Sequence, residues 1–158
     1  MADIRKDSIL MAFVNELAER GNKIIKSAYA RSDYSKNKTQ NLHDSYGSAV
    51  YYKGKLIESS IRYMDEKASV GRFNMYDGEV QKGRNEIAKF LRKYKAIENG
   101  MELVVAVAMF YARPLEEGTY ANNGRKWKVI SMAEDELRKL QSEIKGSSVD
   151  TIRKGKRL

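Results

Sequence analysis

The chain has 158 residues, of which 42% are hydrophobic and 32% charged, with 30 Lys and Arg against 21 Asp and Glu, a formal net charge of +9. This length is sufficient to bury a core as one domain, and the absence of cysteine excludes disulfides, thiolate catalysis and zinc–thiolate sites. No run reaches the roughly 18 apolar residues of a membrane-spanning helix, and the N-terminal sequence lacks the apolar core of a signal peptide. We therefore expect a protein made in the cytoplasm, with no membrane partner.

By charge alone the basic surplus suits any anionic partner, whether DNA, RNA, an acidic protein face or, although we expect none, a membrane surface. A need for solubility explains the same surplus equally well. Net charge affects solubility and the electrostatic steering of partners, and it does not determine the fold.

The segment from Asp7 to about Arg31 has the period of an amphipathic helix, with Asp7 or Ser8 as its N-cap. Its apolar stripe should lie on a sheet. The stripe consists of Leu10, Phe13, Val14, Leu17, Ala18, Gly21, Ile24, Ile25 and Ala28.

After a polar loop at 31–41, the stretch SAVYYKGKLI predicts two strands joined by a tight turn near Gly54. A second helix is expected from Glu79 to about Lys95, with Val80, Ile87, Leu91 and Tyr94 on its apolar face. The opposite face carries Lys82, Arg84, Lys89, Arg92, Lys93 and Lys95.

A strand running through Met109 follows, and its nearly continuous apolar sequence suggests cover on both faces by helices or by a neighbouring subunit. Ser131 and Glu134 match a capping box for a last helix that ends near Ile144. The order predicts an α+β fold, with one layer of helices, including the long N-terminal helix, against a small, mostly antiparallel sheet. We expect one domain at 1–145 and a basic, flexible tail at 146–158.

Catalytic candidates are few. His43 is the only histidine, and no nucleophile or second ligand stands at a useful spacing, so an exposed structural histidine is the preferred interpretation. Glu116 and Glu117 are adjacent, and neighbours in an extended segment point to opposite faces. No phosphate-binding, dinucleotide-binding or metal-binding motif is present. We predict no catalytic, cofactor or metal site, and a protein that is not an enzyme.

Two basic segments are candidates for contact with DNA or an acidic partner. The first is the predicted second helix, through Lys82, Arg92 and Lys93, which could lie along phosphates. The second is the tail, through Arg153, Lys154, Lys156 and Arg157. In both cases a solvated charged surface is the alternative.

The apolar strand leads into the sequence FYARPLEEGT, which contains the only proline of the chain. Pro114 ends strand pairing because it has no N–H group, and Gly118 permits a turn. An aromatic turn of this kind is either a docking element or a simple connection.

These segments together resemble the tail-completion, or head–tail joining, proteins of tailed bacteriophages. Leu42-His43-Asp44-Ser45 stands where that family has Leu, Arg or Lys, Asp or Asn, and Ser before its first strand. Tyr111-Ala112, Glu116 or Glu117, and Gly118-Thr119 match a second family signature in order. Arg113-Pro114-Leu115 departs from the Tyr-Val or Phe-Val that is common in the family.

The resemblance, over roughly residues 5 to 145, implies a structural protein of the virion without cofactors. It implies a ring of six or twelve copies in the phage neck, between the portal or head-closure protein and the tail tube or tail terminator protein. DNA could pass through the lumen of such a ring. The candidate contact residues between subunits or partners are Lys53, Gly54, Lys55, Phe110, Tyr111, Leu115, Glu117, Gly118 and Thr119.

Overall fold

Strand β1 (Tyr46–Tyr52) is the central strand of the sheet. The computed structural model describes residues 7–31, 41–64, 82–109, 112 and 128–150. Along one edge β1 pairs antiparallel with β4 (Met101–Val107) over its whole length, from Tyr46 opposite Val107 to Tyr52 opposite Met101. All other pairings of β1 are antiparallel too, which confirms the predicted sheet.

The other edge of β1 pairs with two short strands, β2 (Lys55–Leu56) and β3 (Arg62–Tyr63). A 3₁₀ turn at Glu58–Ser60 separates them. Ser60 closes the gap, because its buried Oγ accepts a hydrogen bond from the Val50 N–H at 2.8 Å and donates to the Ile57 carbonyl at 2.6 Å. A side chain here replaces a strand as the partner of the β1 backbone.

Helix α1 (Ser8–Arg31) covers one face of the sheet, as predicted. The Asp7 carboxylate accepts hydrogen bonds from the N–H groups of Ile9 and Leu10 at 3.1 and 3.0 Å, so Asp7 is the N-cap. The predicted stripe is buried from Val14 onward, but Phe13 is 39% exposed. The last helix, α4 (Val129–Glu143), packs beside α1 on the same face.

Helix α3 (Lys82–Lys93) covers the opposite face, with Ile87 and Leu91 fully buried against β1. The predicted single layer of helices is therefore wrong, because the alternating side chains of β1 and β4 are apolar on both faces and each face needs cover. The apolar side chains of β4 pack against the core on both faces but remain partly exposed, so the cover predicted for this strand is only partial. A short helix, α2 (Asn41–Asp44), leads into β1.

The predicted capping box at Ser131 and Glu134 is also wrong. Helix α4 starts at Val129, which is fully buried, so Ser131 lies within its first turn. Glu134 contacts Arg138 one turn later, at 2.8 Å. With Val129 buried as its first residue, the helix starts three residues earlier than a cap at Ser131 would place it.

Gly47 sets how closely α3 approaches the sheet. A Cβ atom at this position would lie 2.9 Å from Ile87 Cγ1 and 3.0 Å from the backbone oxygen of Arg62. Neither neighbour can move without shifting α3 or β3, so the close approach requires glycine here.

We expect Gly47→Ala to lower the free energy of unfolding by about 2 kcal/mol through overpacking. The matched control is Gly21→Ala, where the added Cβ would lie 3.1 and 3.3 Å from Oγ and Cβ of Ser48 and closest, at 2.8 Å, to the flexible end of Leu103. Because that side chain can rotate and alanine favours helix, the control should lose less stability than Gly47→Ala. Urea denaturation of both variants measures the difference, and equal losses would contradict the role given to Gly47.

Candidate functional site

The hairpin between β1 and β2 and the segment that follows α3 lie side by side. Lys53 and Gly54 form the turn, both with positive φ (49° and 78°), as in a type I′ hairpin. The Lys53 N–H donates to the Gly100 carbonyl at 2.8 Å. A Cβ on Gly54 would lie 3.7 Å from Glu98 Cα. We call Lys53–Lys55 together with Lys93–Gly100 the basic lobe.

The basic lobe brings together residues from two of the predicted groups. Lys53, Gly54 and Lys55 were predicted as subunit contacts, and Lys93 as a contact to DNA or an acidic partner. The side chains of all three lysines are exposed. Ile97, which sequence reasoning missed, is 54% exposed in the same lobe. Its signal was a large aliphatic residue in a charged stretch, just before the turn residues Asn99-Gly100.

A network of hydrogen bonds holds the lobe against the sheet. The Glu102 carboxylate accepts one bond from the Tyr94 hydroxyl at 2.8 Å and another from the Ile97 N–H at 2.9 Å. Tyr51, on the adjacent strand, donates its hydroxyl to the Leu91 carbonyl and packs against the Tyr94 ring. The exit from α3 is thereby fixed at several points.

The predicted cationic face of α3 is partly used inside the fold. The guanidinium of Arg92 contacts the Glu58 carboxylate at 3.1 Å, and hydrogen bonding to Glu58 raises the pKa of Arg92. The Arg84 guanidinium lies 4.1 Å from the centre of the Tyr63 ring. Lys82 opens the helix, and its side chain lies outside the described residues. Lys89, Lys93 and Lys95, the other cations of the predicted face, are exposed.

The remaining predicted contact residues lie outside the described residues. They are Phe110, Tyr111, Leu115, Glu117, Gly118 and Thr119 after β4, and Arg153, Lys154, Lys156 and Arg157 in the tail. The helix predicted to begin at Glu79 is described from Lys82 onward and ends at Lys93.

His43 is packed into the structure and is not the exposed histidine that the sequence predicted. Its side chain is 18% exposed, and its Nδ1 lies 2.9 Å from Oδ1 of the buried Asp44. The ring also contacts the Tyr29 ring edge-on, at 4.9 Å between centroids. Because it joins α1 to the start of β1, His43 has a structural role here.

Among the described residues, no group of three or more His, Cys, Asp or Glu side chains is arranged to hold a metal ion. Within the same residues, no helix is long and apolar enough to cross a bilayer. Comparison with known protein families, curated proteins and solved structures finds no match to this chain.

The His43 contacts lead to a stability prediction. We expect His43→Ala to lower the free energy of unfolding by about 1 kcal/mol, since Asp44 loses a hydrogen-bond partner and Tyr29 a ring contact. His43→Asn, whose amide can still donate to Asp44, should recover part of the loss. Thermal unfolding of the two variants tests this, and an unchanged His43→Ala melting temperature would contradict it.

The Tyr94–Glu102 contact predicts a loss of stability at high pH. Burial, with the hydrogen bond and charge of Glu102, raises the pKa of Tyr94 from 10.0 to about 12. The fold thus favours the neutral phenol. The contribution of the neutral Tyr94 phenol to the free energy of unfolding is complete below pH 10 and is lost as the pH rises from 10 towards 12.

Tyr94→Phe should therefore be less stable than the wild type at neutral pH, because Glu102 loses a donor. It should also show a shallower fall in stability across the alkaline range. Denaturant titrations at a series of pH values measure both effects. Parallel pH profiles for the two proteins would show that Tyr94 does not titrate as described.

Proposed function

We propose that this chain is a structural subunit of the neck of a tailed phage, where it forms a ring that joins the head to the tail. The observation that carries the proposal is the strand β4, which runs directly toward the family-like sequence at Tyr111–Thr119. All seven residues of β4 are only half-buried, although six of them are apolar. These apolar side chains already pack against the core, and a partner seated on β4 would cover the surface that they still expose.

A ring needs two different surfaces on each subunit, because its contacts run head to tail. The half-buried strand β4 with the sequence that follows it is one candidate. The basic lobe is the other, and it differs in chemistry and in position, at the opposite end of β4. This pairing of unlike surfaces supports a ring more than it supports a two-fold dimer.

The resemblance extends the proposal to partners and location. Six or twelve copies would stand in the virion between the portal or head-closure protein and the tail tube or tail terminator protein, after synthesis in the host cytoplasm. The basic surplus suits a lumen that passes DNA. Neither a cofactor nor an enzymatic step belongs to this proposal.

A nucleic-acid-binding protein is the alternative, favoured by the net charge of +9. It would use the tail and the α3 helix. The contact between Arg92 and Glu58 weakens it, because a paired guanidinium has less to offer a phosphate. Steeply salt-dependent binding of duplex DNA by the purified protein would support this alternative. Serine substitutions at Arg153, Lys154, Lys156 and Arg157 would show whether the tail is responsible.

The ring proposal is tested first by the mass and shape of the purified protein. Light scattering over a range of concentrations and negative-stain microscopy should reveal closed rings or concentration-dependent association. The reading frames on either side of the gene provide an independent test, because capsid or portal genes and tail genes are expected there. Metabolic or regulatory neighbours would overturn the proposal.

A complementation assay tests the contact sequence after β4. Leu115→Asp and Gly118→Val should leave the circular dichroism and melting temperature of the protein unchanged while blocking the joining of heads to tails. Lys145→Ser, an exposed change beyond α4, is the control and should yield normal particles. Infectious, fully tailed particles from the first two variants would remove this sequence from the interface.

A further inference from the structure

The basic lobe concentrates positive charge on one end of the molecule. Its four lysines, Lys53, Lys55, Lys93 and Lys95, are all exposed, and Glu98 is the only carboxylate in the lobe. Within the described part of the chain, no carboxylate forms an ion pair with any of these lysines. The Lys53 ammonium has one internal contact, at 5.4 Å from the centre of the Tyr52 ring. Charge that the fold itself does not neutralise is available to a partner.

Ile97 gives the lobe an apolar contact among these cations. Its side chain is 54% exposed, which is more than any described large apolar residue except Ile9 on α1. Its backbone is fixed by the hydrogen bond to Glu102, so the side chain is presented from a rigid segment. An apolar contact with a charged rim is the usual arrangement of a protein–protein interface. A phosphate backbone would make no use of the isoleucine.

The turn itself departs from the residues that its geometry favours. Lys53 has a φ of 49°, a left-handed conformation in which Asn, Asp or Gly is preferred at the first position of a type I′ turn. A lysine in this conformation is an observed outlier, and such outliers cluster at functional sites. The strain is consistent with a requirement for a cation at the tip of the hairpin.

We propose that the basic lobe is a docking surface for an acidic protein, which receives Ile97 in an apolar recess bordered by carboxylates. The partner class follows from charge complementarity with the lysines and from the exposed isoleucine. The proposal does not depend on a phage origin of the chain, since it uses only contacts and exposures of the described residues.

The full-length protein is tested with a fluorescein-labelled peptide of alternating glutamate and leucine, followed by fluorescence anisotropy. The combined variant Lys53→Asn, Lys95→Gln should bind on the order of tenfold more weakly than the wild type. The matched control is Lys23→Gln, Lys26→Gln, which removes the same charge from the exposed surface of α1. This control should change the affinity less than twofold. Asparagine suits the turn, so the lobe variant should keep the wild-type melting temperature.

The isoleucine has its own matched pair of variants. Ile97→Ser should weaken peptide binding several-fold, whereas Ile9→Ser, at a position that is 81% exposed on α1, should not. Ile97→Lys is the sharper variant, because it adds a positive charge but removes the apolar contact. It should weaken binding of the peptide.

Three outcomes would overturn the proposal. Equal losses in the two lysine variants would indicate general charge attraction. Tighter peptide binding by Ile97→Lys would show that Ile97 makes no contact. The lobe would be assigned to nucleic acid if a DNA duplex of matched charge bound more tightly than the peptide and the lobe variant lost this binding.

Discussion

The pairing of β1 with β4 is the interaction on which the rest of the structure depends. β1 is bonded on both edges and covered on both faces, so each described helix lies on it or packs against an element that does. Small residues in its first half make this possible. Gly47 admits α3 on one face, and Ser48 lies beneath Gly21 of α1 on the other. Larger side chains here would separate a helix from the sheet and remove the burial that stabilises both.

The sequence predicted those features that depend on local pattern. The Asp7 cap, the long helix after it and the turn at Gly54 follow from short-range chemistry, and the structure confirms them. The features that were wrong depend on distant contacts. The capping motif at Ser131 carries no information about burial two residues earlier, and the environment of His43 is set by a helix that precedes it in the chain. The exposure of Ile97 likewise depends on how the α3–β4 connection packs.

The candidate site is an exposed surface that carries four lysines and one large apolar side chain. Charges that looked equivalent in the sequence separate in the structure. Arg92 is engaged by Glu58, whereas the lysines of the basic lobe face solvent. The sequence could not show which cations are paired, because the Arg92–Glu58 ion pair joins two elements that are remote in sequence. The ring proposal and the docking proposal both use the basic lobe, but they assign it different partners, a neighbouring copy of this chain in the first and an acidic protein in the second.

The position of the lobe also has a kinetic consequence. Pairing between Tyr52 and Met101 closes a loop of roughly 50 residues, and pairing at Tyr46 and Val107 a longer one. The β1–β2 hairpin needs no such closure and can form within microseconds. The entropy cost of closing the loop between β1 and β4 is lowest where that loop is shortest, beside the Lys53–Gly100 hydrogen bond. Pairing of the two strands should therefore begin at that end and extend toward Tyr46 and Val107. The basic lobe is thus completed at the first step of long-range folding, before the Val107 end of β4 has paired with β1.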